Sequence, residues 1–350
     1  MRQQVAKLAG VSEATVSRVL NGVGPVKEAT KQRVLAAAAE LGYVPNALAQ
    51  QFARKKSGNL GVVLPHMAKV SLFSTYYFSE MLSGIGSEVQ AAGNDLLLLF
   101  READQPRNYA ALFQSQKIDA LIVLGATDMP QDRSALEELA KDGYPFCVLN
   151  QRYSQRGGDS SFLTVDADHW SGSQDAVRHL IDIGCSRIAF INGPEQYSNS
   201  IDRREGYLSV LAASGLPIEQ QLMLTGNYSR KSGYELADQL AELIASGRAD
   251  SIFAANDRMA IGAMQGLREH GLEAGRDYAL CGYDDADAAR MASPQLTSVA
   301  VPFQEMGRKA ASLLLGSGIE GADASRSAVL PVELIIREST GVQQHRSKQR

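Results

Sequence analysis

From Asn59 onward, short continuous apolar runs alternate with longer segments in which apolar residues recur every three or four positions. Runs of the first kind read as strands buried on both faces, and segments of the second kind as helices lying over them. The strand-like runs are Leu60–Leu64, Asp95–Phe100, Ala120–Leu124 and Phe146–Leu149, then Phe162–Val165, Arg187–Ile191, Ser251–Ala255 and Tyr278–Cys281. Helical spacing covers Phe78–Ala92, Asn108–Gln116, Asp132–Asp142, Trp170–Ile183, Arg203–Ser214, Ser232–Ser246, Arg258–His270 and Phe303–Leu315. Residues 328–337 close the series as a last strand-like run. The alternation predicts a parallel α/β architecture, and its restart near Phe162 predicts two consecutive lobes. A cleft between such lobes, near the carboxyl ends of the strands, is where a small molecule binds.

The first 44 residues follow a different pattern. Val5-Ala6-Lys7-Leu8-Ala9 reads as a short helix ending at Gly10. Ser12 stands where its hydroxyl can accept a hydrogen bond from a free backbone N–H of a second helix. Val16, Val19 and Leu20 give that helix one apolar face, while Thr15, Ser17 and Arg18 leave it elsewhere. Asn21-Gly22 stops it, since both residues tolerate positive φ. A third helix, Ala29–Leu41, carries the stripe Val34, Ala37, Ala38 and Leu41. Two short helices across a tight Gly-containing turn form a helix-turn-helix, whose second helix enters the DNA major groove; a hairpin used only for packing is the alternative. Met1-Arg2-Gln3-Gln4 offers no cap, so we expect either a frayed first turn or a chain that begins a few residues upstream. Downstream, Pro45 interrupts the chain, Asn46 can cap a short helix, and Phe52 precedes the basic run Arg54-Lys55-Lys56. An apolar ring beside basic residues suits a minor-groove wedge, with an inert tether as the alternative.

Charge sharpens this division. Residues 1–57 hold nine Lys/Arg against three Asp/Glu, a net +6, which leaves 26 against 36, a net −10, for the rest. A basic head on an acidic body suggests that only the head meets a polyanion. Cys147, Cys185 and Cys281 lie far apart in or beside apolar runs and read as buried free thiols. His66, His169, His179, His270 and His345 show no metal-ligand spacing. No phosphate-binding glycine loop, GxSxG elbow, HExxH or paired-cysteine pattern occurs. We therefore expect no enzyme and no cofactor. The Asp284-Asp285 pair could serve acid–base work, but a strand-end Asp equally suits holding ligand hydroxyls. With neither a signal peptide nor an apolar run of 18 residues, a soluble cytoplasmic protein without a membrane partner is expected.

Over nearly its whole length the chain resembles the LacI/GalR family of bacterial transcription regulators. The head motif is Val5-Ala6-Lys7-Leu8-Ala9-Gly10-Val11-Ser12 followed by Ala14-Thr15-Val16-Ser17-Arg18-Val19-Leu20-Asn21, and the hinge signature is Gly42-Tyr43-Val44-Pro45-Asn46-Ala47-Leu48-Ala49. The body carries Ala255-Asn256-Asp257-Arg258-Met259-Ala260-Ile261-Gly262-Ala263, Gly282-Tyr283-Asp284-Asp285 and Ser293-Pro294-Gln295-Leu296-Thr297-Ser298-Val299. The resemblance implies a small all-α helix-turn-helix head (1–44), a hinge helix and linker (45–57) and a two-lobed, periplasmic-binding-protein-like α/β core (58–340) of Rossmann-like lobes. We divide the core into a first lobe, 58–160 plus 290–320, and a second, 161–289 plus 321–340, and leave 341–350 as a polar tail.

The resemblance further implies a homodimer, with a tetramer left open, bound through two heads to a roughly palindromic DNA operator and associated with the bacterial nucleoid. Glu13 and Ala14 match positions that read base edges. Ser12, Thr15, Ser17 and Asn21 match backbone contacts, and Arg18 matches a base or phosphate contact. The hinge adds Asn46, Phe52 and Ala53. Phe52 stands where the family usually has a Leu wedge, Gln50-Gln51 replaces the commoner Arg-Ser, and Gln4 replaces an Asp. For the effector, the family pattern points to Tyr77, Phe78, Asn150, Arg203, Tyr228, Asn256 and Asp284, with Thr75-Tyr76 in place of a frequent Asn-Pro. Aromatic faces with Asn, Asp and Arg suit a sugar; a purine, a phosphosugar or a protein corepressor are the other effectors kept open. The sign of the response, induction or corepression, is not implied. Two rivals fail on the residues: a solute-binding protein needs an export signal and no basic head, and a sugar kinase needs a phosphate loop.

Overall fold

The structure, a computed structural model, describes residues 1–44, 56–65, 75–101, 107–154, 156, 158, 161–316 and 327–341. The expected hinge residues Asn46, Phe52 and Ala53, and the tail from 342, lie outside the described residues.

The head is three helices, Arg2–Ala9, Glu13–Asn21 and Glu28–Glu40, closed on Val5, Ala6, Ala9, Val16, Val34, Ala37 and Ala38. Met1 supplies no side-chain cap to the first helix, which ends at Gly10 with φ 64°. Leu41, expected in the apolar stripe, is exposed, because the third helix ends one residue before it.

Among the described residues twelve strands follow: β1 (Asn59–Pro65), β2 (Asp95–Arg101), β3 (Ala120–Leu124), β4 (Phe146–Leu149), β5 (Thr164–Ala167), β6 (Ile188–Asn192), β7 (Met223–Thr225), β8 (Ser251–Ala254), β9 (Ala279–Asp284), β10 (Thr297–Ala300), β11 (Ala328–Leu330) and β12 (Glu333–Ile335). They form two six-stranded sheets, ordered β11-β5-β4-β3-β1-β2 and β12-β10-β9-β8-β6-β7. Every pairing is parallel except β10 with β12. Both faces of the central strands are covered, so β3, β4, β6 and β8 are buried at every position. The three cysteines are free and buried, Cys147 in β4, Cys281 in β9 and Cys185 ahead of β6.

The chain crosses between the lobes at other points than the sequence division placed them. The strand expected at Phe162–Val165 runs from Thr164 to Ala167 and extends the first sheet, Val148 opposite Thr164, although residues from 161 were assigned to the second lobe. Thr297–Ala300, unrecognised as a strand and assigned to the first lobe, pairs with β9 in the second sheet. The single run expected at 328–337 is two strands, one in each sheet. Pro331 between them has no N–H to give a ladder, which breaks the run and lets the chain change sheets. Two smaller differences are the short strand β7, not expected, and the helix expected at Ser232–Ser246, which breaks at Leu236 into Arg230–Glu235 and Ala237–Ala245.

The helix Phe303–Leu315 leaves the second sheet and packs back on the first lobe, against Tyr76–Ala91. Gly84 and Gly307 permit the contact: a Cβ on Gly84 would stand 1.9 Å from the Gln304 carbonyl oxygen, and one on Gly307 2.2 Å from that of Met81. No described helix is long and apolar enough to cross a membrane.

Candidate effector cleft and DNA-reading head

In the head, Ser12 caps the second helix, its Oγ accepting from Thr15 N–H at 3.2 Å. Glu13 in the first turn faces the positive end of the helix dipole. Val16 is buried, and Glu13, Ala14 and Arg18 are exposed on the remaining surface. Asn21 Nδ2 donates to Ser17 Oγ at 3.1 Å, so these two half-buried side chains brace one another. Gly22, at φ 65°, ends the helix.

Between the two sheets lies a cavity of about 450 Å³. Its walls come from carboxyl ends of strands and from helix starts in both lobes. Pro65, Thr75–Phe78, Gly125-Ala126, Asn150 and Phe303 come from the first lobe, and residues after β6, β7, β8 and β9 from the second. Tyr77, Phe78, Asn150, Arg203, Tyr228, Asn256 and Asp284 all line it, so the structure brings the seven expected residues to one cavity from both lobes. Tyr77 packs edge-on against Phe78 and Phe303, at 4.8 and 5.1 Å between ring centroids.

Arg203, in the helix Ser198–Ala213, is wholly buried. Its Nη1 donates to the Ala255 carbonyl at 2.5 Å and its Nη2 to His169 Nδ1 at 3.1 Å, with the guanidinium carbon 3.9 Å from the Tyr283 ring centroid. Since a guanidinium can only donate, His169 Nδ1 must accept. His169 Nε2 therefore carries the proton and donates to Asn150 Oδ1 at 2.7 Å. Asn150 in turn neighbours the Tyr77 hydroxyl, whose pKa burial raises and the Asn150 amide pulls back. Burial, then the charges of Arg203 and Arg152, hold the His169 pKa well below its usual value, so the ring is neutral. The result is a relay of fixed polarity, Arg203 to His169 to Asn150, joining the two lobes at the cleft beside Tyr77. Asn150 sits at φ 56°, just past β4, where the left-handed backbone turns its amide toward His169.

The other expected residues have more divided duties. Asn256 caps the helix Asp257–Glu269 through Oδ1 and donates from Nδ2 to the Tyr228 carbonyl at 3.1 Å. The Tyr228 hydroxyl donates to Asn199 Oδ1 at 2.8 Å and lies 2.5 Å from Ser200 Oγ. Asp284, at φ 105° on the end of β9, lies 3.8 Å from Arg203 Nη2. Burial drives its carboxyl pKa up, and the charges of Arg203 and Arg258 pull against that rise. Beside it, Asp257 is buried, with Oδ1 accepting from Ser298 Oγ at 2.6 Å and Oδ2 from Ala286 N–H at 2.7 Å. A second tie crosses the lobes: Arg152 Nη1 and Nη2 each donate to an Asp202 oxygen at 2.7 Å. Among the described residues no cluster of His, Cys, Asp or Glu is arranged to hold a metal ion.

Residues 3–46 match the model for bacterial regulatory proteins of the lacI family, and residues 177–340 match a periplasmic binding protein-like domain. The transcriptional regulator AscG of Escherichia coli is 34% identical over 341 residues, covering 96% of this chain and 97% of its own. The chain belongs to the LacI family. Two solved structures of family members show the same architecture. A lac repressor dimer bound to operator and the anti-inducer ONPF has a TM-score of 0.77 at 29% identity, covering 96% of this chain and 97% of that one. A complex of the regulator CelR with cellobiose has a TM-score of 0.71 at 30% identity, covering 97% and 99%. As a LacI-family member this chain is a DNA-binding transcriptional regulator with a sugar-binding type of core.

Two participants were not singled out by sequence reasoning. His169 had only the absence of metal spacing to describe it, and no local signal marks a buried histidine whose partners lie 19 and 34 residues away. Asp257 stood inside the quoted Ala255–Ala263 motif. A carboxylate at the first position of a helix that follows a strand was the available cue.

Proposed function

We propose that this chain represses transcription as a homodimer on a pseudo-palindromic operator, and that a sugar bound in the cleft controls its operator affinity. The observation that carries the reading is the cleft. Aromatic rings line one side, Arg203, Asn150, Asp284 and Asn256 offer polar groups, and the polar set includes a relay that spans both lobes. A ligand that engages Arg203 or Asn150 perturbs both lobes at once, which is what transmission to a DNA-binding head requires. A coupling of about 1–3 kcal/mol changes operator affinity by roughly 5–150-fold. The CelR complex with cellobiose and the lac repressor dimer on operator support the ligand class and the assembly. The head carries the DNA contact through Ser12, Glu13, Ala14, Thr15, Ser17, Arg18 and Asn21, with Asn46, Phe52 and Ala53 from the hinge, and Arg18 is the candidate for a bidentate contact to guanine.

Fluorescence anisotropy of the full-length protein on the palindrome nearest its own gene, with a panel of sugars, sugar phosphates and nucleobases, tests the proposal. Tight, salt-sensitive binding that a sugar weakens is the expected result. Binding that needs a nucleobase or a second protein would replace the sugar with a corepressor, and no specific binding under any condition would overturn the repressor reading.

A further inference from the structure

Four charged side chains line the cleft among the described residues: Arg203, Arg258, Asp257 and Asp284. Arg203 is held by Ala255 and His169 over the Tyr283 ring. Asp257 is closed by Ser298 and Ala286. Asp284 faces Arg203 across 3.8 Å. Arg258 differs. It is half-buried at the second position of the helix Asp257–Glu269, and among the described residues no hydrogen bond or ion pair engages its guanidinium.

The charge balance points the same way. Burial, and after it the neighbouring Asp284 charge, disfavours ionisation of Asp257, and burial disfavours that of Asp284 against the pull of Arg203 and Arg258. The pair thus carries less than two negative charges opposite two guanidinium groups that stay charged. A half-buried guanidinium that lines the cleft beside Asp284 with no hydrogen-bonded acceptor is placed to take a planar oxyanion, which it binds through paired N–H donors.

Resting on the reading that the cleft takes a sugar effector, we infer that this effector carries an anionic group, a carboxylate or a phosphate monoester, which docks on Arg258 while its ring lies among the aromatic side chains. Asp284 and Asn150 take ring hydroxyls, and Arg258 selects for charge.

Isothermal titration of the full-length protein at fixed ionic strength tests this with glucose, glucuronate and glucose 6-phosphate, and with the three galactose counterparts. At least one anion binds about tenfold or more tighter than its neutral parent, and Arg258→Gln brings the two within about twofold, the loss expected for one charge-assisted contact. Arg258→Lys keeps part of the preference, because the charge remains while the paired geometry is lost. The uronate and phosphate arms tell the two anions apart. A neutral sugar preferred over both its anions, a preference that survives Arg258→Gln, or no binding by any anion of the panel overturns the inference. A neutral sugar whose affinity falls in Arg203→Lys and not in Arg258→Gln would overturn it while leaving the effector cleft intact, whereas binding insensitive to Arg203→Lys as well would remove the cleft reading too.

Discussion

Replacing His169 tests the relay across the cleft. His169→Phe keeps a ring of similar size and removes both polar atoms. Arg203 Nη2–H and Asn150 Oδ1 then lose their partners at 3.1 and 2.7 Å in a site where His169 and Arg203 are buried. Each buried polar group left unpaired costs about 1–3 kcal/mol, so the variant loses about 2–6 kcal/mol of stability. His169→Gln supplies an amide oxygen for Arg203 and an amide N–H for Asn150, the same polarity as the neutral ring, and costs about 1 kcal/mol. Urea unfolding followed by fluorescence of Trp170, the single tryptophan and the neighbour of His169, measures both. The pH dependence gives a second reading. The buried ring stays neutral while the unfolded chain protonates it below about pH 6.5, so the folded state binds fewer protons there. Wild-type stability therefore falls as the pH drops below that value, by about 1.4 kcal/mol per unit, until the folded ring itself titrates. Asp166, pushed up to about 6 by burial, acts with the opposite sign, stabilising the fold as pH falls through that value. The difference between wild type and His169→Gln isolates the imidazole. A His169→Phe protein within about 1 kcal/mol of wild type, or a His169 ring that titrates near 6.5 by NMR, would refute the relay.

Asp202→Asn removes the charge from the bidentate pair with Arg152 and is expected to cost about 2–4 kcal/mol. Faster amide exchange at the start of Ser198–Ala213 checks that the loss is at the lobe junction, and unchanged exchange would show that the pair ties nothing. Gly84→Ala drives a methyl into the Gln304 carbonyl, so the helices Tyr76–Ala91 and Phe303–Leu315 must part, at about 2–4 kcal/mol; a melting temperature equal to wild type refutes the close contact. Arg18→Ala should abolish discrimination between the operator and scrambled DNA while leaving sugar titrations unaltered, and loss of both would mean that reading and sensing are not divided between head and core.

Much of the molecule was written locally. Ser12, Gly10 and Gly22 act through bonds and dihedral angles within a few residues of themselves, so the helix-turn-helix was legible from spacing alone. The buried strands Ala120–Leu124 and Phe146–Leu149 announced themselves as unbroken apolar runs, because a parallel strand covered on both faces has no polar side. The seven cleft residues were named from the resemblance to the family, and each lines the cavity. Tertiary structure alone decided the rest. Which sheet takes Thr164–Ala167, Thr297–Ala300 or Ala328–Leu330 depends on a neighbouring strand far away in the chain, and a short apolar run fits either sheet equally well. His169 acquires its tautomer from Arg203 and Asn150, which the fold brings to it from opposite lobes, and its neutrality from burial and then the charges of Arg203 and Arg152. Sequence determined the elements and the kinds of chemistry on offer, because propensity, capping and periodicity are short-range. The pairing of those chemistries waited on the fold, because hydrogen-bond polarity and burial are properties of neighbours in space.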